Sequence, residues 1–143
     1  MIQLQFPPYQ PKIKQEGGVE YIFDTIRKRW IKLTPEEWVR QNIIQYLVVV
    51  KGFSASLIAV EKEIMLSDVR KRFDIVVYDQ QTKPWMVIEC KAMDIALTAT
   101  VLQQALTYNI ALKLPYIVIT NGLHCAAFTS IEGQLSEVDI FPG

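Results

Sequence analysis

The sequence is poor in the residue types on which several kinds of catalytic site depend. It has one histidine, His124, and two cysteines, Cys90 and Cys125. Two isolated cysteines give neither the spacing of a zinc site nor a disulfide framework. No serine or cysteine has a histidine at a motif distance, so a nucleophilic triad has no support.

Neither sign of charge is in excess, because 15 Lys and Arg residues balance 15 Asp and Glu residues. This balance argues against a protein that coats nucleic acid by bulk charge, although it leaves room for a local basic face. Two basic clusters, residues 27–32 and 70–72, are candidates for phosphate contacts, and in the second we single out Arg72. The alternative for each cluster, and the more common one, is an ordinary solvated surface.

Long apolar runs are also missing. No run approaches the ~20 residues that a membrane span needs. Residues 1–8 lack the positively charged start and apolar run of a signal peptide. Half of the 143 residues are hydrophobic, which is typical of a globular chain of one-domain size. We therefore expect a cytoplasmic protein with reduced thiols.

Residues 1–33 have the composition of an N-terminal arm. They contain three prolines and the pair Gly17-Gly18, which favour irregular structure over residues 1–18. Two short apolar clusters flank residues 24–29, and this pattern suggests a short β-hairpin. The folded domain is assigned to residues 34–143.

A strong helix start opens that domain. Thr34 suits the N-cap, Pro35 suits the first helical position, and Glu37 stands three residues after the threonine, as in a capping box. Apolar residues then recur at helical spacing until Lys51-Gly52, where we expect the helix to end.

The remaining patterns predict an α/β protein with a mixed sheet flanked by helices. Strand patterns and one further helix follow in the order β-β-β-α-β-β, at residues 57–65, 73–78, 85–91, 97–113 (the helix), 116–120 and 125–129. The helix that joins the third and fourth of these strands makes them parallel. The first three strands are joined by short turns, and we expect them to be antiparallel. The full order is therefore α-β-β-β-α-β-β.

Three ionisable residues interrupt or close two of the apolar strands. Asp74 lies inside one strand, and Glu89 and Lys91 end the next. Residues two apart on a strand face the same side, so Glu89 and Lys91 project together while Cys90 turns towards the core. If the two strands pair, Asp74 lies beside Glu89, and two such carboxylates favour a cation between them. Mg²⁺ suits carboxylate and carbonyl oxygens, including the carbonyl of Cys90. The alternative is a buried salt bridge in which Lys91 neutralises one carboxylate and nothing is catalysed.

In order and spacing together, five stretches resemble the PD-(D/E)xK nuclease superfamily, and most of all the N-terminal nuclease domain of type I restriction enzyme R subunits. They are Thr34-Pro35-Glu36-Glu37-Trp38-Val39-Arg40-Gln41, Lys71-Arg72-Phe73-Asp74-Ile75-Val76-Val77-Tyr78-Asp79, Val87-Ile88-Glu89-Cys90-Lys91, Gln103-Gln104-Ala105-Leu106-Thr107-Tyr108-Asn109 and Val118-Ile119-Thr120-Asn121-Gly122. The resemblance implies a restriction-endonuclease-like core and metal-dependent hydrolysis of DNA with Mg²⁺ or Mn²⁺.

The resemblance also implies roles for individual residues. Asp74 and Glu89 would be metal ligands and Lys91 the catalytic lysine. A glutamate on the first helix usually completes such sites. We favour Glu36 over Glu37, because Glu36 shares a helix face with residues that should point at the sheet and Glu37 could serve only the helix cap.

Gln104 and Tyr108 match a Gln-x-x-x-Tyr pattern of related nucleases. Their spacing of four places them on one helix face, where they could contact DNA or waters at the site, or simply form the polar edge of a packed helix.

The resemblance implies DNA as the partner, with helicase or methylase subunits of a larger complex, and leaves a homodimer open. Type I R subunits continue into helicase motors, but this sequence has no Gly-x-x-x-x-Gly-Lys-Ser/Thr loop, so we expect a nuclease-like domain without a motor. A catalytically inactive DNA- or protein-binding module of the same fold is the alternative function.

Overall fold

Helix α1, Pro35–Gln45, begins where the sequence predicts. The computed structural model describes residues 1–66, 68–109 and 114–143, and within these every side chain except those of residues 66, 69, 108 and 109. The Thr34 hydroxyl accepts a hydrogen bond from the Glu37 N–H at 3.1 Å, so Thr34 is the N-cap. The helix continues into a π-helical turn, Tyr46–Val50, and the chain turns away at Gly52, whose φ of +73° suits glycine.

The described residues form one seven-stranded mixed sheet and one small three-stranded sheet. The strands of the large sheet are β1 (Ile2–Gln3), β5 (Ile58–Leu66), β6 (Val69–Tyr78), β7 (Pro84–Cys90), β8 (Tyr116–Thr120), β9 (His124–Ile131) and β10 (Gln134–Val138). Their order is β1-β9-β8-β7-β6-β5, and β10 also pairs with β9. Helix α2, Ala99–Asn109, connects β7 to β8. Residues 110–113, which the sequence places in this helix, lie outside the described residues.

The predicted pairing of the sheet is confirmed. Strands β5, β6 and β7 are antiparallel, and β7 and β8 are parallel. The predicted element order is present, with β10 as an additional strand at the end. The two helices cover opposite faces of the sheet. One core cluster packs Ile75, Val77 and Cys90 against α1, and the other packs Val76 and Val87 against α2.

Residues 1–18, expected to be an irregular arm, contain two short strands, with no helix or strand between them at residues 4–12. Strand β1 pairs with β9, and Leu4 is buried in the core beside α1. Strands β2 (Ile13–Glu16), β3 (Val19–Asp24) and β4 (Arg29–Lys32) form the small sheet. The expected hairpin is present as the β3–β4 pair. Backbone hydrogen bonds hold the start of this segment to β9, far along the chain, and hold β2 to the adjacent strand β3.

The alternation of β6 side chains between the two faces of the sheet is interrupted at Asp74. Ile75 packs on the α1 side of the sheet, whereas Phe73, two residues earlier, packs on the α2 side. On the facing strand, Glu61 has a φ of +53°, although the register is the same before and after it. Positive φ is unfavourable for a residue other than glycine, so this irregularity must be held by its surroundings. Among the described residues, the helices are too short and too polar to cross a membrane.

Candidate active site

A pocket of about 600 Å³ opens between the start of α1, the end of β7 and the inner face of α2. Its walls are formed by polar and apolar side chains: Glu36, Glu89, Lys91, Ile95, Val101, Gln104 and Ala105. The pocket brings together residues from three distant stretches of sequence. Its three charged members, Glu36, Glu89 and Lys91, are all residues that the sequence proposed for catalysis.

Asp74 adjoins this pocket from the neighbouring strand. The register of β6 and β7 pairs Ile75 with Ile88, so Asp74 is the next residue along and lies beside Glu89. One carboxylate oxygen, Oδ2, accepts a hydrogen bond from the Cys90 N–H at 2.8 Å. The other, Oδ1, lies 3.6 Å from Nη1 of Arg40.

Burial is the largest influence on the Asp74 carboxyl, and it raises the pKa. The Cys90 N–H and Arg40 act in the opposite direction, whereas the carboxylates of Glu89 and Glu36 raise the pKa of Asp74 further. The net pKa lies above the ordinary value. The Asp74 carboxylate is therefore close enough to Glu89 and to Glu36 to be repelled by each of them, which a nearby cation would relieve.

Glu89 pairs with a lysine that the sequence did not single out. Its Oε1 lies 3.1 Å from Nζ of Lys71, on β6, and both side chains are about four-fifths buried, with exposed fractions of 20% and 22%. The sequence left open a salt bridge between Lys91 and one of the carboxylates. In the structure, the lysine that forms an ion pair with Glu89 is Lys71. Lys91 faces the pocket, and its backbone N–H donates to the Thr120 carbonyl at 2.7 Å.

Arg40 is the second site cation that sequence reasoning missed. Its guanidinium donates to Glu37 through Nε at 3.1 Å and Nη2 at 3.2 Å, and to Oε1 of Glu61 at 2.8 Å. Arg40 therefore connects α1 to Asp74 and to Glu61, the residue of β5 that has a positive φ. A signal was available: Arg40 is a charged residue between the apolar positions Val39 and Ile43, on the helix face that packs against the sheet.

The two candidate glutamates of α1 have different surroundings. Glu36 is exposed and lines the pocket. Glu37 is buried, and its carboxylate accepts hydrogen bonds from Arg27, Arg40 and Gln41. Its backbone N–H donates to the cap, but its side chain belongs to an ion-pair network rather than serving the cap alone. The geometry therefore agrees with the preference for Glu36, whose role stays a prediction.

The network around Glu37 also includes the β3–β4 hairpin. Nη2 of Arg27 lies 3.2 Å from Glu37, and Nε of Arg27 lies 2.7 Å from Asp24, which is fully buried. Gln41 donates to both carboxylates, at 2.9 Å to Asp24 and 3.0 Å to Glu37. Arg27 therefore belongs to the interior and is not part of a surface basic cluster. A chain of contacts runs from the hairpin through Glu37 and Arg40 to Asp74.

The other predicted site residues are placed less centrally. Gln104 lines the pocket from α2. The side chain of Tyr108 lies outside the part of the chain that the structure describes. Arg72 is exposed on β6, with Nη1 3.6 Å from Glu61. Of the basic cluster 70–72, Lys71 is the member that contacts a pocket residue.

A turn after β8 holds the loop that follows Lys91. Asn121 donates from Nδ2 to the carbonyl of Ile95 at 2.8 Å, and its Oδ1 accepts from two backbone N–H groups of its own turn. Gly122 has a φ of +89° and lies against Val39, so a side chain there would be strained and crowded. The Thr-Asn-Gly segment thus fixes both the turn and one wall of the pocket.

The donor set fits a hard divalent cation in its chemistry. Glu36, Asp74 and Glu89 offer only oxygen, which Mg²⁺ and Mn²⁺ accept. In residues 1–66, 68–109 and 114–143, however, no three acidic, histidine or cysteine side chains are grouped so that they could hold an ion as they stand. Arg40 and Lys71 contact the Asp74 and Glu89 carboxylates instead. A metal would have to compete with these two cations.

The fold and the placement of these side chains define an α/β protein with a restriction-endonuclease-like core. A mixed sheet carries an acidic residue on one strand and a Glu-x-Lys on the next, and a helix covers each face. The chain belongs to the family described as type I restriction enzyme R protein N terminus, whose model matches residues 35–142. No curated protein matches the chain.

Proposed function

We propose that this chain is a metal-dependent deoxyribonuclease of the PD-(D/E)xK kind. Asp74 and Glu89, with the carbonyl of Cys90, would hold Mg²⁺ or Mn²⁺, and the bound ion would act as a Lewis acid and activate water for attack on a phosphodiester. DNA is the substrate that membership of a restriction-enzyme family favours. Helicase or methylase subunits of a larger complex are the partners that the same membership favours.

The observation that carries this proposal is the convergence of Glu36, Glu89 and Lys91 on one pocket beside Asp74. These residues come from one helix and two strands, and simple packing does not require charged side chains to meet there. Keeping carboxylates together on a half-buried surface is unfavourable unless a cation or a charged ligand offsets it. A function that uses a cation and an anionic substrate accounts for this arrangement.

Lys91, Glu36 and Gln104 each have a separate role in the proposed reaction. Lys91 faces the same pocket as Glu89, where its ammonium group can orient the attacking water and stabilise negative charge that develops on the phosphate oxygens. Glu36, which is exposed and lines the pocket, would accept a hydrogen bond from that water. Gln104, which lines the pocket from α2, would contact the DNA backbone.

The test is cleavage of linear, supercoiled and branched DNA by the purified chain with Mg²⁺ or Mn²⁺. Lys91→Ala should lower kcat by at least about 100-fold, the usual effect of removing one group that stabilises transition-state charge. Lys83→Ala is the matched control, because Lys83 is an exposed lysine in the turn before β7 and should leave kcat unchanged. Equal cleavage by wild type and Lys91→Ala would assign the activity to a contaminant and refute the proposal.

A specific observation favours a second candidate, a DNA- or protein-binding module without catalysis. The Asp74 and Glu89 carboxylates are already paired with Arg40 and Lys71, as they would be in a site that no longer binds metal. Calorimetry with Mn²⁺ separates the two candidates. Binding that Asp74→Asn abolishes supports the nuclease, whereas no binding at millimolar Mn²⁺ supports the module.

A further inference from the structure

Lys71 is held inside the candidate site rather than on the outer surface. Its neighbours on β6, Arg70 and Arg72, have side chains that are 65% and 64% exposed, whereas that of Lys71 is 22% exposed. Strand alternation turns Lys71 to the side of the sheet that faces α2, the same side as Phe73. Its ammonium lies 5.1 Å from the centre of the Phe73 ring and 3.1 Å from Oε1 of Glu89.

This placement makes Lys71 a counterion for the carboxylate that a metal would use. A largely buried carboxylate requires a positive partner, and Lys71 supplies one when no metal is present. A lysine is suited to an exchangeable pairing, because its single ammonium group sits on a flexible four-carbon stem. An arginine at the same position would hold Glu89 by two parallel hydrogen bonds and would be harder to displace.

We propose that Lys71 exchanges between Glu89 and a DNA phosphate, so that metal binding and DNA binding support each other. This inference rests on the proposed nuclease function. A divalent ion at Glu89 displaces the ammonium from that carboxylate, in a site where the ammonium is mostly shielded from water. A phosphate of the DNA backbone next to the pocket offers an anion that replaces the carboxylate. Each ligand therefore raises the affinity for the other, as linkage requires.

The inference predicts opposite effects of one substitution. Lys71→Met keeps most of the stem but removes the charge, and with it the approach of the ammonium to the Phe73 ring. Without DNA, the variant should bind Mn²⁺ about threefold to tenfold more tightly than wild type, because the Lys71 ammonium no longer competes for Glu89. With Mn²⁺ present, it should bind a short DNA duplex about threefold to tenfold more weakly, with a salt dependence reduced by about one phosphate contact.

Two further variants make the test independent of folding defects. Arg70→Met removes the same charge from the same strand, but Arg70 pairs with Glu63 and not with a pocket residue. It should leave the Mn²⁺ affinity within about twofold of wild type. Lys71→Arg should bind Mn²⁺ more weakly than wild type, the reverse of Lys71→Met, because the guanidinium holds the carboxylate more firmly.

The experiment is calorimetric titration of metal-free protein with Mn²⁺, followed by fluorescence anisotropy of labelled duplex with and without Mn²⁺. The anisotropy measurements use the Lys91→Ala background, so that the DNA is not cut. Wild type that binds Mn²⁺ with the same affinity as Lys71→Met would overturn the Lys71 inference alone. Unchanged DNA affinity in Lys71→Met would also overturn it. Wild type that binds no Mn²⁺ would overturn both this inference and the nuclease proposal.

Discussion

Arg40 carries the sharpest stability prediction, because its guanidinium touches Glu37, Glu61 and Asp74 at once. The perturbation is Arg40→Met, which keeps an apolar stem of similar length and removes the charge and the donors. The variant leaves Glu37, whose side chain is 4% exposed, with Arg27 and Gln41 as its remaining partners. We expect the folded state to lose stability because a buried carboxylate loses half of its positive surroundings.

The magnitude follows from how exposed each partner is. Removing one member of a buried ion pair costs about 3–5 kcal/mol, but Arg27 remains on Glu37 and offsets part of this loss. Glu61 and Asp74 have side chains that are 39% and 31% exposed, so water screens their share to below about 1 kcal/mol each. The expected net loss is about 3 kcal/mol of unfolding free energy. For a chain of this size, that corresponds to a decrease in Tm of about 6–12 °C.

Urea denaturation of wild type, Arg40→Met, Glu37→Gln and the double variant measures both the loss and its origin. The cycle should give a coupling energy between Arg40 and Glu37 of about 1–3 kcal/mol. Arg72→Met is the matched control. Arg72 also approaches Glu61, at 3.6 Å, but it is 64% exposed and should change stability by no more than about 0.5 kcal/mol. A loss below about 1 kcal/mol for Arg40→Met, or no coupling with Glu37, would refute the reasoning.

Two further predictions concern protonation. Burial alone would raise the pKa of Asp24, but hydrogen bonds from the backbone of Arg27, from Gln41 and from the Arg27 side chain outweigh it, and the pKa is lowered. Since the folded-state pKa lies below the unfolded one, the stabilisation by Asp24 is present above about pH 4 and is lost as the pH falls through the folded value. Wild type should therefore exceed Asp24→Asn in unfolding free energy at pH 7, with the difference narrowing in acid; a difference that stays constant from pH 7 to pH 3 would contradict this. Burial also raises the pKa of Cys125 to about 12 and that of Cys90 well above its usual value, so neither thiol should react with a disulfide reagent at pH 8 until urea unfolds the chain; rapid labelling of native protein would disprove this inertness.

Local sequence patterns predicted the helices and strands whose formation depends on residues close together in the sequence. The Thr34 cap, the helical spacing of α1 and the apolar runs of β6 and β7 each depend on neighbours in sequence, and each is present. Strand β1 has only two residues, and it forms because β9, more than a hundred residues away, offers a free edge. No local pattern encodes such a pairing.

In the candidate site, likewise, some residues can be recognised from the local sequence and others only from their contacts after folding. Asp74, Glu89 and Lys91 could be recognised because charged residues are out of place in apolar strands. The roles of Lys71 and Arg40 depend on which carboxylate each cation reaches after folding. Glu61, on the facing strand, has a positive φ that its residue type does not predict.

The contacts of Asp24 and Arg27 also bear on how the protein can be divided. The family model begins at residue 35, yet Arg27 is one of the two guanidinium groups that neutralise Glu37. A fragment that starts at residue 34 would keep the whole pocket but leave that carboxylate half compensated. Gln41 would lose its contact with Asp24 in the same fragment. The start of the family match at residue 35 therefore separates Asp24 and Arg27 from Glu37 and Gln41, to which they are bonded. We expect substitutions at residues on one side of this boundary to be accompanied by substitutions at their partners on the other side.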